Sequence, residues 1–262
     1  MMSVLLQLML PSLVVPILLS AILFVAARRY PALKWNLPII WLPSYFWLVG
    51  WPEGIPQEAN DWLWLLVVIS LTFSLGFVRH PRKAGVAQAC LWGVTLMVFA
   101  WPVLSYQPEL GIVIELVVLL LVGGSLFLGI TYRDTITPTL VLATCAGGLA
   151  WVTSLGGSVL VGQLAGALAS VLAVFAVYEW DRGITKLSAT SSVLMPLVQT
   201  YFALLLIARV FAGIPLISAV LLMMAPLVGL LLPGRFAFLA TITNVSLALA
   251  WLLMTADSSS YY

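Results

Sequence analysis

Long apolar stretches separated by short turns of alternating charge recur along this 262-residue chain, and that recurrence constrains its fold more than any motif does. A bilayer's hydrocarbon core is roughly 30 Å thick and a helix rises about 1.5 Å per residue, so a crossing needs about 20 apolar residues. Cutting the sequence at charges, Pro-Gly clusters and polar runs leaves ten stretches. They are Val4 to Ala27, Asn36 to Trp51, Trp62 to Val78, Ala84 to Tyr106, Leu110 to Thr131, Thr137 to Leu155, Ser158 to Trp180, Ala189 to Ala212, Ile214 to Leu232, and Phe236 to Thr255. Lipid offers no hydrogen bonds to a bare backbone, so each stretch is expected to be helical.

Cytoplasmic loops collect Lys and Arg while loops on the other side do not, which tests the cut independently. Every second loop is basic, holding in turn Arg28, Arg29 and Lys34, then Arg79, Arg82 and Lys83, then Arg133, then Arg182 and Lys186, then Arg235. Those loops hold ten of the eleven Lys and Arg residues. The intervening loops carry Glu53, Glu58 and Asp61, then Glu109, then no charge around Gly156 and Gly157 or around Gly213, with Asp257 in the tail. Deleting any one stretch would reverse the alternation beyond it. The predicted fold is therefore an all-α polytopic transmembrane helix bundle of about ten spans, with the N-terminus and C-terminus both non-cytoplasmic.

Composition agrees. The chain is 63% hydrophobic and only 8% charged, with a mean hydropathy of +1.15, whereas soluble domains are about half apolar and about a quarter charged. A net charge of +2, scattered through short loops, excludes the gathered basic surface that nucleic-acid binding requires. The first stretch has no basic residue before it and Arg28 and Arg29 directly after it, the reverse of a secretory signal peptide, so it reads as a retained span. The second stretch is short and holds Pro38 and Pro43. It is read as a bent crossing, because a re-entrant hairpin would put the Glu53 loop on the face of Arg28. Trp35 and Trp180 fall at proposed inner boundaries, and Trp51, Trp62, Trp101 and Trp251 at or near outer ones, where amphipathic rings prefer to sit. Residues 1–262 are expected to form one integral membrane domain with no soluble domain. Five spans per half permit inverted halves of about 1–131 and 132–262.

Polar groups are expensive inside a bilayer, so function is sought there first. Glu115 lies about a turn and a half into the fifth span from its outer end, and Arg209 about one turn from the outer end of the eighth. Their shared depth predicts an ion pair, as a candidate polar site or as a lock between helices. Gln199 joins them as a candidate intramembrane polar residue, and Gln88, Gln163 and Asn244 are further amides suited to bridging helices. Gly162, Gly166 and Ser170 lay a small-residue stripe along the seventh span, which suits close helix packing. Gly123, Gly124, Gly147 and Gly148 point the same way. Cys90 and Cys145 lie within apolar runs, where a thiol acts as a small hydrophobe. His80 sits among cations with no nearby carboxylate, a poor metal ligand and a poor general base. Glu179 and Asp181 form a lone acidic pair, and no second cluster accompanies it to hold a metal and a diphosphate.

The sequence has no P-loop, HExxH, GxSxG or paired cysteine ligands. No catalytic residue, metal or cofactor is assigned, and enzymatic activity is not expected. The leading expectation is a small transporter or permease-like protein for an apolar, amphipathic or lipid-like substrate. The alternative is a non-catalytic integral membrane subunit or scaffold of a larger complex. Expected partners are the lipid bilayer and other membrane subunits, without nucleic acid, and the short loops and clean charge bias suit a bacterial inner membrane. A cavity reaching Glu115 favours the transporter; a solid interior favours the scaffold.

Overall fold

Helix boundaries follow the breaks in hydropathy closely. The computed structural model describes residues 9–30, 36–51, 58–77, 80–106, 110–130, 137–182, 190–232 and 234–259. Within them the chain is all-α and forms ten helices. A π turn, Leu10–Val14, leads into α1 (Val15–Arg29), followed by α2 (Leu37–Val49). A 3₁₀ turn, Ala59–Trp62, opens α3 (Leu63–Gly76). Then come α4 (Pro81–Tyr106), α5 (Leu110–Ile130), α6 (Thr137–Leu155), α7 (Val159–Arg182), α8 (Thr190–Val210), α9 (Leu216–Leu231) and α10 (Gly234–Ser259). Five of them, counting the turns that lead into α1 and α3, contain an apolar stretch of 18 to 20 residues, long enough to cross a membrane, and the other five contain shorter apolar stretches. The chain is a multi-span membrane protein. Lys34, Glu53, Arg79, Glu109, Arg133 and Lys186 lie outside the described residues, as do the side chains of Arg28, Glu179, Asp181, Arg182, Arg235 and Asp257.

Two helix starts differ from the sequence reading for local reasons. Helix α4 begins at Pro81 rather than Ala84, because proline lacks only an N–H that the first turn leaves unpaired anyway. The stretch before α3 is not wholly irregular. Glu58 and Asp61 cap the 3₁₀ turn reciprocally, with Glu58 N–H donating to Asp61 Oδ2 at 3.0 Å.

Contacts show that helices alternate in direction. At one end, a β-carbon on Gly156 would meet Ile214 and Leu252, joining the end of α6 to the start of α9 and the end of α10. At the other, Gly229 faces Val141 and Thr241, joining the end of α9 to the starts of α6 and α10. Ala27, Leu37 and Phe175 line one cleft, so α1 ends, and α2 starts, near the end of α7. Gln88 near the start of α4 bonds Ser74 near the end of α3, and Tyr45 near the end of α2 bonds Asn60, so exposed Arg29, Arg82 and Lys83 occupy one end of the bundle, and Glu58 and Asp61 the other. Helix α2 keeps this alternation. With 13 residues it is about 20 Å long, and it runs from the level of Phe175 to the 3₁₀ turn, where Tyr45 OH donates to Asn60 O at 3.0 Å.

Helix α8 is the axis. Every residue from Leu194 to Ala208 is buried, on all faces, and α2, α3, α4, α5, α6, α7 and α9 pack around it. Since lipid is as apolar as leucine, such packing relies on close backbone approach and on hydrogen bonds between helices, worth about 0.6 kcal/mol each on average. Both are visible. Trp41 Nε1 donates to Leu164 O at 3.0 Å, Trp92 Nε1 to Leu119 O at 3.1 Å, and Tyr201 OH to Leu222 O at 2.7 Å. Gln88 clamps α4 to α3: it accepts from Ser70 Oγ at 2.7 Å and donates to Ser70 O at 2.7 Å and to Ser74 Oγ at 3.0 Å. Gly123 lies against the Trp92 indole and Gly148 against Val245, whereas Gly124 and Gly147 face open space. Pro16 has no N–H for the carbonyl of Ser12, which lies 3.4 Å from Ser170 Oγ of α7.

Candidate functional site

Arg209 is the penultimate residue of α8, and its position there depends on how that helix ends. Gly213, at φ +68°, takes the left-handed conformation that reverses the chain. Ala212 N–H returns to Ile207 O and Ile214 N–H to Ala208 O, both at 3.3 Å. This hook brings Ile214 O to 3.2 Å from Arg209 Nη1, which donates to it. The rest of the guanidinium meets Glu115 of α5 side-on. Arg209 Nε donates to Glu115 Oε2 at 3.1 Å and Nη2 to Oε1 at 3.0 Å, a two-pronged, charge-assisted pair. The side chains keep 29% and 21% of their surface exposed, respectively, so the pair is partly sheltered but still reachable.

Beside the pair, α5, α8 and α9 leave a cavity of about 150 Å³. Its walls are almost wholly apolar, formed by Val118, Leu119, Leu205, Leu216, Ala219 and Met223, with Glu115 and Arg209 as its charged residues. Apolar cavities of about this size stay dry and accept a small ring or short hydrocarbon. The arrangement offers an apolar body a berth and a polar group both a carboxylate and a guanidinium, within the same recess.

Gln199 does not join the pair. Ten residues before Arg209 on the same helix, it lies about 15 Å away along the axis, fully buried, and donates through Nε2 to Thr95 Oγ1 of α4 at 3.1 Å. Its Oε1 has no partner among the described residues. Gly162, Gly166 and Ser170 sit elsewhere again, on α7. Gly162 packs on Ser154 of α6, while a β-carbon added to Gly166 would lie 3.9 Å from Ala150 and from Ser12. Ser170 Oγ donates to Gly166 O at 2.9 Å. Gly166 and Ser170 form part of the floor of an apolar lateral groove of about 650 Å³, which Leu13, Trp151 and Phe238 border.

Sequence reasoning did not anticipate a second recess at the Glu115 end, where the 3₁₀ turn meets α4 and α8. Its signal was the Glu58–Asp61 capping pair within an acidic loop, which reads as solvated until the turn folds against Phe99 and Ile207. Among the described residues no group of three or more His, Cys, Asp or Glu side chains is placed to hold a metal. Comparison of the chain with protein-family models, with curated proteins and with solved structures finds no match.

Proposed function

We propose that this multi-span membrane protein is a small transporter or permease-like protein for an apolar, amphipathic or lipid-like substrate. The observation that carries this reading is the Glu115–Arg209 pair at an apolar cavity between α5, α8 and α9. The apolar part of a substrate occupies the cavity, and its polar group exchanges with one partner of the pair. Polar and ionisable groups within spans are costly and mark transport paths in membrane proteins generally. The reading includes the orientation with Arg29, Arg82 and Lys83 in the cytoplasm, and residence in a bacterial inner membrane.

The test is reconstitution into liposomes with two fluorescent probes, an NBD-labelled phosphatidylcholine and an NBD-labelled dodecanoate, followed by dithionite quenching. The protein should speed the exchange of at least one probe over protein-free liposomes, and Glu115→Gln should slow it about tenfold while the protein stays folded in the membrane. Failure of the unmodified protein to move either probe would sink the proposal.

One observation favours the alternative, an integral subunit of a larger complex. The lateral groove has a floor rich in small residues, among them Gly147, Ala150, Gly166 and Ala173, which is the kind of surface that admits another helix. On that reading, purification in mild detergent brings down a stoichiometric membrane partner, and a bulky Gly166→Leu substitution releases it.

A further inference from the structure

The recess beside the 3₁₀ turn has the makings of a binding site separate from the Glu115 cavity. Its volume is about 430 Å³, within the range of roughly 300–1,000 Å³ typical of small-molecule sites. Val98 and Phe99 of α4, Ile207 of α8, Phe211 beyond it, and Trp62 supply apolar and aromatic walls. Ile207 and Phe211 lie two residues either side of Arg209, on the opposite face of α8, so the helix separates this recess from the guanidinium.

The polar groups of the recess share a sign. Glu58 lines it and is exposed, and Asp61 lies in the same turn. Asn60 also lines it, and its Oδ1 is shielded from solvent with no hydrogen-bond partner among the described residues. No cation lines the recess among the described residues. The turn is well anchored, by the reciprocal cap of Glu58 and Asp61 and by Tyr45 OH on the Asn60 carbonyl. A preformed pocket with aromatic walls, one carboxylate at its rim and no cation among its described lining residues is complementary to an ammonium group on an apolar body. Aromatic faces attract such cations, more strongly as water is excluded.

We propose that the cleft between Glu58, Asn60, Trp62, Phe99 and Phe211 binds an amphipathic organic amine. The ammonium pairs with Glu58, and the apolar body packs between Trp62, Phe99 and Phe211. This inference stands apart from the transport reading, because binding is measured without transport and at residues on the other face of α8.

The test uses full-length protein in nanodiscs of phosphatidylcholine, with protein-free discs as the blank and 2-phenylethylammonium as the probe, followed by calorimetry and tryptophan fluorescence. Saturable binding is expected, at least about tenfold tighter than that of the neutral isostere 2-phenylethanol. Glu58→Gln should weaken it about tenfold. Since Glu58 also caps the turn, Phe211→Ala provides a variant outside the cap, whose half-exposed ring can go without disturbing the helices; it should weaken binding about threefold or more. Equal affinity for 2-phenylethanol, or unchanged affinity in both variants, overturns the proposal.

Discussion

Replacing Glu115 by leucine leaves the Arg209 guanidinium in an apolar recess with the Ile214 carbonyl at 3.2 Å in place of three acceptor contacts. Breaking a fully buried pair this way costs about 3–5 kcal/mol, while a fully exposed pair is worth about 0.2–1 kcal/mol. With 29% and 21% of the two side chains exposed, the pair lies nearer the buried limit. The surviving bond to Ile214 offsets part of the loss, so Glu115→Leu should destabilise by about 2 kcal/mol, between those limits. Arg209→Met should cost about as much, because it strands a carboxylate whose two oxygens lose both of their donors. The double variant fills an apolar space with apolar side chains and leaves no unpaired charge, so it should lie within about 1 kcal/mol of the unmodified protein. A double-mutant cycle measured by unfolding in lipid bicelles then returns a coupling energy of about 3 kcal/mol. Simple addition of the two single losses, to within about 0.5 kcal/mol, would refute the claim that the residues act as a pair.

Adjacent glycines on α5 should respond oppositely to the same change. A β-carbon at Gly123 runs into the Trp92 indole, whereas one at Gly124 meets open space; Gly123→Ala should cost about 1–3 kcal/mol of stability, and Gly124→Ala should be neutral or stabilising by up to about 1 kcal/mol, both read from unfolding in bicelles. Orientation is checked by labelling single cysteines in a Cys90→Ser, Cys145→Ala background with a membrane-impermeant maleimide in intact cells and inverted vesicles. Cysteines at positions 29 and 83 should react only from the cytoplasmic side and one at position 58 only from the other, and reaction of positions 29 and 58 from the same side would overturn the threading.

The order of helices was legible because hydropathy falls at each boundary, and Lys or Arg gathers at alternate ones. The meeting of Glu115 and Arg209 was legible for a related reason, since two ionisable groups at one depth in lipid have few partners other than each other. Which helix forms the axis was not legible. In water, an apolar stripe on a helix marks its inward face, but in a bilayer both lipid-facing and protein-facing surfaces are apolar, so the burial of Leu194 through Ala208 leaves no pattern in the sequence. What does distinguish inside from outside is the need to satisfy polar atoms. Trp92 and Tyr201 sit in mid-helix and Trp41 one turn into α2, and each gives its one N–H or O–H to a carbonyl on a neighbouring helix. Exposed Trp51, Trp101 and Trp151 lie at or near helix ends. That need, rather than apolar periodicity, is what sets a core-facing aromatic apart in a chain of this kind. The recess at the acidic turn was hidden for a different reason: Glu58 and Asp61 read as loop residues, and only the folded position of Phe99 and Ile207 turns that loop into a recess.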